Sequence, residues 1–244
     1  MSTHVSDLLR PDGRLLVRSA EGWTEEAAAR AAALANSRGA TALVHIDEQS
    51  SAEHAALTAA GFTESRRQAV VALPVERSLA VLGGAPPPAG VQLRSAAEVD
   101  EDRLRLLDDE LRQDVPGTSG WRSTREEFRD QTFADPDFDP RTYLVAVDGE
   151  SGEYVGLVRI WMTPHGPRLG MIGVRREHRR RGMGSALLAR ALEAVRASGA
   201  TEVATEYGLE NVASRAFLER LGARLLGTRI ELVRAPEKER TRVG

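Results

Sequence analysis

One pattern occurs twice in this chain, and any fold must accommodate both copies. GATEVATEYGLENVASRAFLERLGA begins at Gly199, and GATALVHIDEQSSAEHAALTAAGF begins at Gly39. Each reads as a strand, a loop, a helix and a closing glycine, the earlier copy being one residue shorter. The correspondence extends upstream, because Gly182 stands as far before Gly199 as Gly22 stands before Gly39. RRRGMGSALLARALEAVRASGAT therefore has an eroded counterpart in SAEGWTEEAAARAAALANSRGAT. There the arginines are gone, and Thr24 replaces one of the two glycines. The N-terminal segment is then half of a domain: strand, helix, strand, helix, strand.

The rest of the sequence sets bounds on this picture. The 244 residues suffice for two small domains with real cores. The clearest linker is LGGAPPPAG, since three prolines donate no backbone hydrogen bonds and glycines flank them. This predicts an N-terminal lobe over 1–82, a Gly/Pro linker over 83–90, a main domain over 91–235 and a flexible tail over 236–244. The absence of cysteine excludes a disulfide framework, a thiolate nucleophile and a cysteine zinc site. No histidine is placed for metal ligation, and no metal is expected. A net charge of −3 and 5% aromatics speak against a nucleic-acid binder. No apolar run reaches bilayer length and the N-terminus lacks a signal-like apolar core, so no membrane partner and a cytoplasmic location are expected. The Ala-, Arg- and Gly-rich composition is that of a GC-rich bacterial genome.

Periodicity predicts the elements of the main domain. VQLRS is a strand, and Val99 to Asp114 a helix with Leu104, Leu107 and Leu111 on one face. Ser123 caps a second helix. TYLVAVDG and YVGLVRIWM are strands, and the TPHGP turn leads into RLGMIGV. A helix from Ser185 to Ser198 carries Leu187, Leu188, Ala191, Leu192 and Val195 inward. After the strand TEVATEY, a helix from Val212 to Leu221 turns Ala213, Ala216, Phe217 and Leu221 inward. RLLGTRIELV closes the domain as a strand or hairpin.

The chemistry concentrates where RLGMIGV ends. RRRGMGS sets arginines beside glycines at the start of an amphipathic helix. Glycines allow a tight turn and close approach to a ligand. The first amides of a helix are unpaired and lie at the positive end of its dipole, a ready anion site. Ser185 is placed to cap the helix or add a donor. A P-loop is excluded because no Lys follows the glycines. A dinucleotide fingerprint is excluded because its third glycine is missing.

Arg179, Arg180, Arg181, Gly182, Met183 and Gly184 follow the Arg/Gln-x-x-Gly-x-Gly/Ala pattern of the GCN5-related N-acetyltransferase (GNAT) superfamily, which this chain resembles over roughly 91–233. A second signature, Asn-x-x-Ala/Ser with a glycine closing the helix, is matched by Asn211, Ser214 and Gly222. The resemblance implies an α/β (α+β) fold: a mixed, mostly antiparallel sheet flanked by helices, whose fourth and fifth strands splay to admit acetyl-CoA as acyl donor. It implies that Ile172, Gly173 and Val174 receive the pantetheine arm, with Ser185 and Phe217 completing the cofactor site. The repeat makes the N-terminal segment a degenerate half of the same fold, in a tandem arrangement similar to that of mycothiol synthases. Ser50 takes the place of Asn211 there, and that lobe is expected to bind no acetyl-CoA.

The same resemblance implies an N-acetyltransferase that transfers acetyl directly to a primary amine of a small molecule, without an acyl-enzyme. A strand-four amide, Gly173 or Val174, polarises the thioester carbonyl. Val174 and Glu206 are the catalytic assignments, Glu206 acting as base through water. Tyr207 points to the other face by strand alternation. The usual tyrosine acid is replaced by Leu218, a departure from the pattern. The acceptor wall carries Glu110, Asp114 and Trp121, with Trp161 from the neighbouring strand. Its acidity, shared by Asp108, Asp109, Asp135, Asp137 and Asp139, points to a cationic acceptor. A protein or peptide N-terminal acetyltransferase and a non-catalytic CoA-binding regulator remain as alternatives. A monomer or homodimer is expected.

Overall fold

The structure is a computed structural model that describes residues 4–237. The expected tail over 236–244 lies, beyond Glu237, outside the described residues. The chain forms two compact units: one runs through Ala69 and resumes at Gly227, and the other is Val70–Leu226. Strands β4 (Thr63–Pro74) and β10 (Arg224–Arg234) carry the chain from one unit to the other.

In the first unit, β1 (Val5–Leu9) and β2 (Leu15–Ser19) form an antiparallel hairpin, and α1 (Glu25–Arg38) crosses to β3 (Ala42–Asp47). α2 (Ser51–Ala59) then leads into β4. The strand order is β1-β2-β3-β10-β4. β2 and β3 pair in parallel only at Leu15↔Ala42 and Leu16↔Leu43, whereas β10 runs antiparallel to β3 from Arg229↔Asp47 to Arg234↔Ala42. α1 presents Ala27, Ala28, Ala31 and Ala35 to Val17, Val44, Ile46 and Ile230. Trp23 and Phe62 close that core. Alanine at helical spacing permits so close a helix–sheet approach.

The second unit begins with the end of β4 and α3 (Val75–Leu82), a helix that sequence periodicity did not resolve. β5 (Val91–Ser95), a short 3₁₀ turn over Ala96–Glu98 and α4 (Glu101–Arg112) follow. α4 is capped by Asp100 and buries Leu104, Leu107 and Leu111 as expected. α5 is short, Arg125–Asp130, and is capped by Thr124 rather than Ser123. Thr124 forms a reciprocal capping box with Glu127, while the Ser123 amide donates to the buried Asp109. β6 (Tyr143–Asp148), β7 (Tyr154–Thr163), β8 (Gly166–Val174), α6 (Met183–Ala197), β9 (Glu202–Gly208) and α7 (Val212–Arg220) complete the unit. The order is β4-β9-β8-β7-β6-β5, with the β5-to-β8 pairings antiparallel. β10 is one strand; no hairpin forms there.

α6 buries Leu187, Leu188, Ala191, Leu192 and Val195 as the periodicity requires. In α7 the expected set is corrected: Ala213 and Ala216 are exposed and Phe217 is half-buried. Leu221 is buried as expected, and Leu218, outside the expected set, is buried with it. A spacing of three residues suffices for a helix this short, and it turns the alanines outward.

Candidate functional site

The site starts from a pairing that stops early. β8 and β9 run parallel with a single register pair, Arg168↔Ala204. The Thr205 hydroxyl donates to Leu169 O at 3.1 Å beside it. Beyond that point β8 keeps β7 as its partner through Gly156↔Val174, and the side facing β9 is open. This is the expected splay of fourth and fifth strands. Arg175 N donates to Val155 O at 2.9 Å. Antiparallel alternation therefore bonds Gly173 to Leu157 and turns the N–H and C=O of Ile172 and Val174 toward the gap. Gly173 offers its Cα to α4, where a side chain would meet Leu111 Cδ1 at 3.1 Å.

The glycine loop lies at the open end. Gly182 sits in the left-handed region at φ 81° and forms the N-cap of α6, with no side chain capping the helix. Ala186 N bonds Gly182 O, so the amides of Met183, Gly184 and Ser185 precede the first intrahelical bond. Ser185 lies inside the first turn and does not cap it, because Gly182 starts the helix earlier than the apolar pattern implies. Nothing lies within 4 Å of where a Gly182 Cβ would stand. Arg180 takes φ 64°, the only described non-glycine residue with positive φ, a conformation that costs about 1–2 kcal/mol.

The three arginines differ in engagement. Arg179 donates Nε to Val174 O at 2.7 Å and pairs with Asp114 at 2.5 Å. Asp114 also accepts from Arg176 at 2.7 Å, and these two guanidiniums hold its carboxyl at about 2. Arg180 and Arg181 are exposed and have no carboxylate partner among the described residues.

Asn211 is the N-cap of α7, its Oδ1 accepting from Ser214 N at 3.1 Å. Phe217 lies on the same helix, with the Arg220 guanidinium 5.5 Å from its ring centre. Leu218, where the family pattern has tyrosine, is only 5% exposed.

Glu206 stands on β9, half-buried, and pairs with Arg168 of β8 at 3.0 Å. Arg168 faces Trp161 across the β7–β8 ladder. Trp121 stacks under Arg112 at 4.2 Å and donates its indole N–H to Ser123 Oγ at 2.9 Å. Glu110 pairs with Arg175 at 2.9 Å. The structure thus brings Trp161, Arg168 and Glu206 together on neighbouring strands. The carboxylates of Glu110, Asp114, Asp108, Asp109 and Asp139 are each bound by arginine. Asp135 accepts from the Asp137 amide instead, and neither makes an ion pair among the described residues, so arginine compensates five of the seven acidic residues and the charge argument for a cationic acceptor is weaker than composition suggests.

Sequence reasoning passed over Arg159. Its signal was a lone charge inside the apolar run YVGLVRIWM. Its side chain is 7% exposed and lies 3.4 Å from Asp108, which Arg112 also binds at 2.5 Å. Tyr143 is buried beside them, and burial, helped by the Asp108 charge, pushes its ionisation well above the usual tyrosine range.

The first unit repeats the local geometry without the loop. Gly22, Gly39 and Gly61 have φ 82°, 60° and 86°, against 81°, 86° and 85° at Gly182, Gly199 and Gly222. Thr24 caps α1 through Ala27 N, and Glu25 and Glu26 occupy its first turn. Glu53 of α2 accepts from Trp23 N at 3.0 Å and lies 2.5 Å from where a Gly22 Cβ would stand. An internal carboxylate fills the place where the second unit leaves open amides.

Residues 105–223 match the model of the Acetyltransferase (GNAT) family. A mycothiol acetyltransferase of Clavibacter michiganensis subsp. michiganensis is 29% identical over 206 residues, 84% of this chain and 65% of that protein. The chain thus spans less than two thirds of that relative's length. A GCN5-related N-acetyltransferase from Sphaerobacter thermophilus superposes with TM-score 0.68 at 22% identity, covering 94% of this chain and 75% of that one. A tandem GNAT protein from the clavulanic acid biosynthesis pathway gives TM-score 0.67 at 18% identity, covering 93% and 77%. At these identities the solved structures establish the fold.

Proposed function

This chain belongs to the GNAT acetyltransferase superfamily, and on that footing we propose that it transfers acetyl from acetyl-CoA to a primary amine of a small molecule. One observation carries the reading: the uncapped amides of α6, beside Arg180 and Arg181, which have no carboxylate partner among the described residues, stand at the mouth of the β8–β9 gap. Those groups bind the diphosphate of the donor by charge and by amide hydrogen bonds. The outward edge of Ile172 and Val174 pairs with the pantetheine arm, and the Val174 amide polarises the thioester carbonyl. Asn211, Ser214 and Phe217 flank the arm from α7.

The amine attacks directly, a route that suits a chain without cysteine. Glu206, held by Arg168, removes the amine proton through water. Leu218 supplies no acid, so the thiolate leaves unaided or takes its proton from solvent. The donor site belongs to the second unit. Glu53 against Trp23 N supports a first unit that takes no acetyl-CoA.

Thiol release from acetyl-CoA over a panel of amines tests the activity. Glu206→Gln is expected to lower kcat/KM by roughly 10²–10⁴ with acetyl-CoA affinity retained. An unchanged rate across pH removes the base assignment. The buried Leu218 favours one competing reading, a non-catalytic CoA binder. That reading requires acetyl-CoA binding with no thiol release on any amine.

A further inference from the structure

The buried polar group beside the gap points to the chemistry of the acceptor. Arg159 Nε and the Tyr143 hydroxyl are buried and make no well-formed hydrogen bond among the described residues, and Asp108 Oδ1, buried beside them, has only the Arg159 guanidinium at 3.4 Å. A buried guanidinium with an idle N–H costs free energy, and evolution usually removes such a group unless something else bonds it. Two guanidiniums, Arg112 and Arg159, share the single Asp108 carboxylate at 2.5 and 3.4 Å. The neighbouring Asp109 is occupied separately, by the Ser123 amide at 3.1 Å and Arg105 at 3.5 Å. The cluster therefore holds one positive charge more than it neutralises, in a place where water screens it poorly.

Its idle donors have a direction. The Trp161 indole lies 5.1 Å from the Arg159 guanidinium, and its N–H has no acceptor among the described residues. A Cβ at Gly170 would stand 2.9 Å from Trp161 Nε1 and 3.7 Å from Arg159 Nε. Gly170 is exposed and follows Leu169, the last residue of β8 tied to β9. A glycine there places no side chain against the Trp161 indole N–H and the buried Arg159 Nε, next to the point where β8 and β9 part.

We propose that the acceptor amine also carries a carboxylate, which Arg159 and Trp161 bind over Gly170 while the amino group lies at the mouth of the β8–β9 gap. This rests on the acetyltransferase reading for the position of the reacting centre. The carboxylate completes the Arg159 shell and balances its excess charge. Arg159 and Trp161 are thus specificity-determining residues, and Asp108 with Arg112 positions Arg159.

The test is calorimetric titration of the full chain, alone and saturated with CoA. The probes are glycine, β-alanine, γ-aminobutyrate and ε-aminocaproate, against the alkylamines and diamines of matching length. At least one amino acid is expected to bind about tenfold or more tightly than its matched amines, the effect of one charge-assisted hydrogen bond. Arg159→Lys and Trp161→Phe should each erase most of that preference while CoA affinity stays unchanged. Trp161→Phe keeps the test open should Arg159→Lys fail to fold. Equal binding of amines and amino acids at every length, no binding of any amino acid, or a preference that survives both substitutions overturns the proposal. Failure of CoA itself to bind overturns the acetyltransferase reading instead, and titration of the chain alone still reads the carboxylate preference.

Discussion

Gly182→Ala separates the role of the glycine loop in folding from its role in binding. Gly182 takes φ 81°, where an L-residue costs about 1–2 kcal/mol relative to glycine. No atom lies within 4 Å of the added methyl, so the unliganded chain bears backbone strain alone. Gly199→Ala is the matched control: Gly199 follows the other end of the same helix, has φ 86° and is equally open. Both variants should lose about 2–4 °C of Tm per kcal/mol in a chain of this size. Only Gly182→Ala places a methyl where an anion must approach the amides of Met183 and Gly184. Losing one charge-assisted hydrogen bond there costs about 1.5–3 kcal/mol, or roughly tenfold to hundredfold in Kd. Thermal unfolding and calorimetry with acetyl-CoA read the two effects separately. Equal affinity losses in both variants, or undiminished affinity in Gly182→Ala, would refute the assignment of the loop.

Further expectations follow from other contacts. Glu231 is buried, which by itself would raise its pKa, but hydrogen bonds from His45 and Arg66 more than offset this and bring it to about 2. A folded value below the unfolded 4.5 means that its stabilisation is fully present above about pH 4.5 and is lost as pH falls toward 2. Glu231→Gln should flatten that acid limb in urea titrations, and Glu231→Ala should cost about 3–5 kcal/mol by removing the buried carboxylate that Arg66 binds at 2.8 Å. Glu53→Ala should lower stability by about 1 kcal/mol through the Trp23 amide, with acetyl-CoA stoichiometry remaining at one per chain. Leu218→Tyr should overpack its buried site at a cost of about 1–3 kcal/mol with no gain in kcat, measured by thermal unfolding and thiol release.

How much was legible in the sequence varied with the range of the interaction. The α6 face, the strand runs and the paired glycines were readable because their causes lie within a few residues: helical spacing, strand alternation and the need for positive φ. The capping readings of Ser123 and Ser185 failed on competition between near neighbours. Thr124 has the glutamate three residues on that closes a capping box, and Gly182 starts α6 before Ser185 is reached.

The sequence alone determined the repeat, the strand–loop–helix order and the glycine- and arginine-rich character of the loop before α6, all consequences of local backbone preference. Tertiary structure alone decided which charges meet. Asp114 reaches Arg179, Glu53 reaches Trp23, Asp108 shares two arginines, and Trp161 and Arg159 lie beside Gly170. Apart from Arg112, one turn from Asp108 on α4, and Arg159 and Trp161, two residues apart on β7, these partners lie far apart along the chain, and a side chain carries no mark of its distant partner. Only packing sets the burial and distance that turn a run of arginines and aspartates into neutralised pairs, and leave one guanidinium short of a ligand.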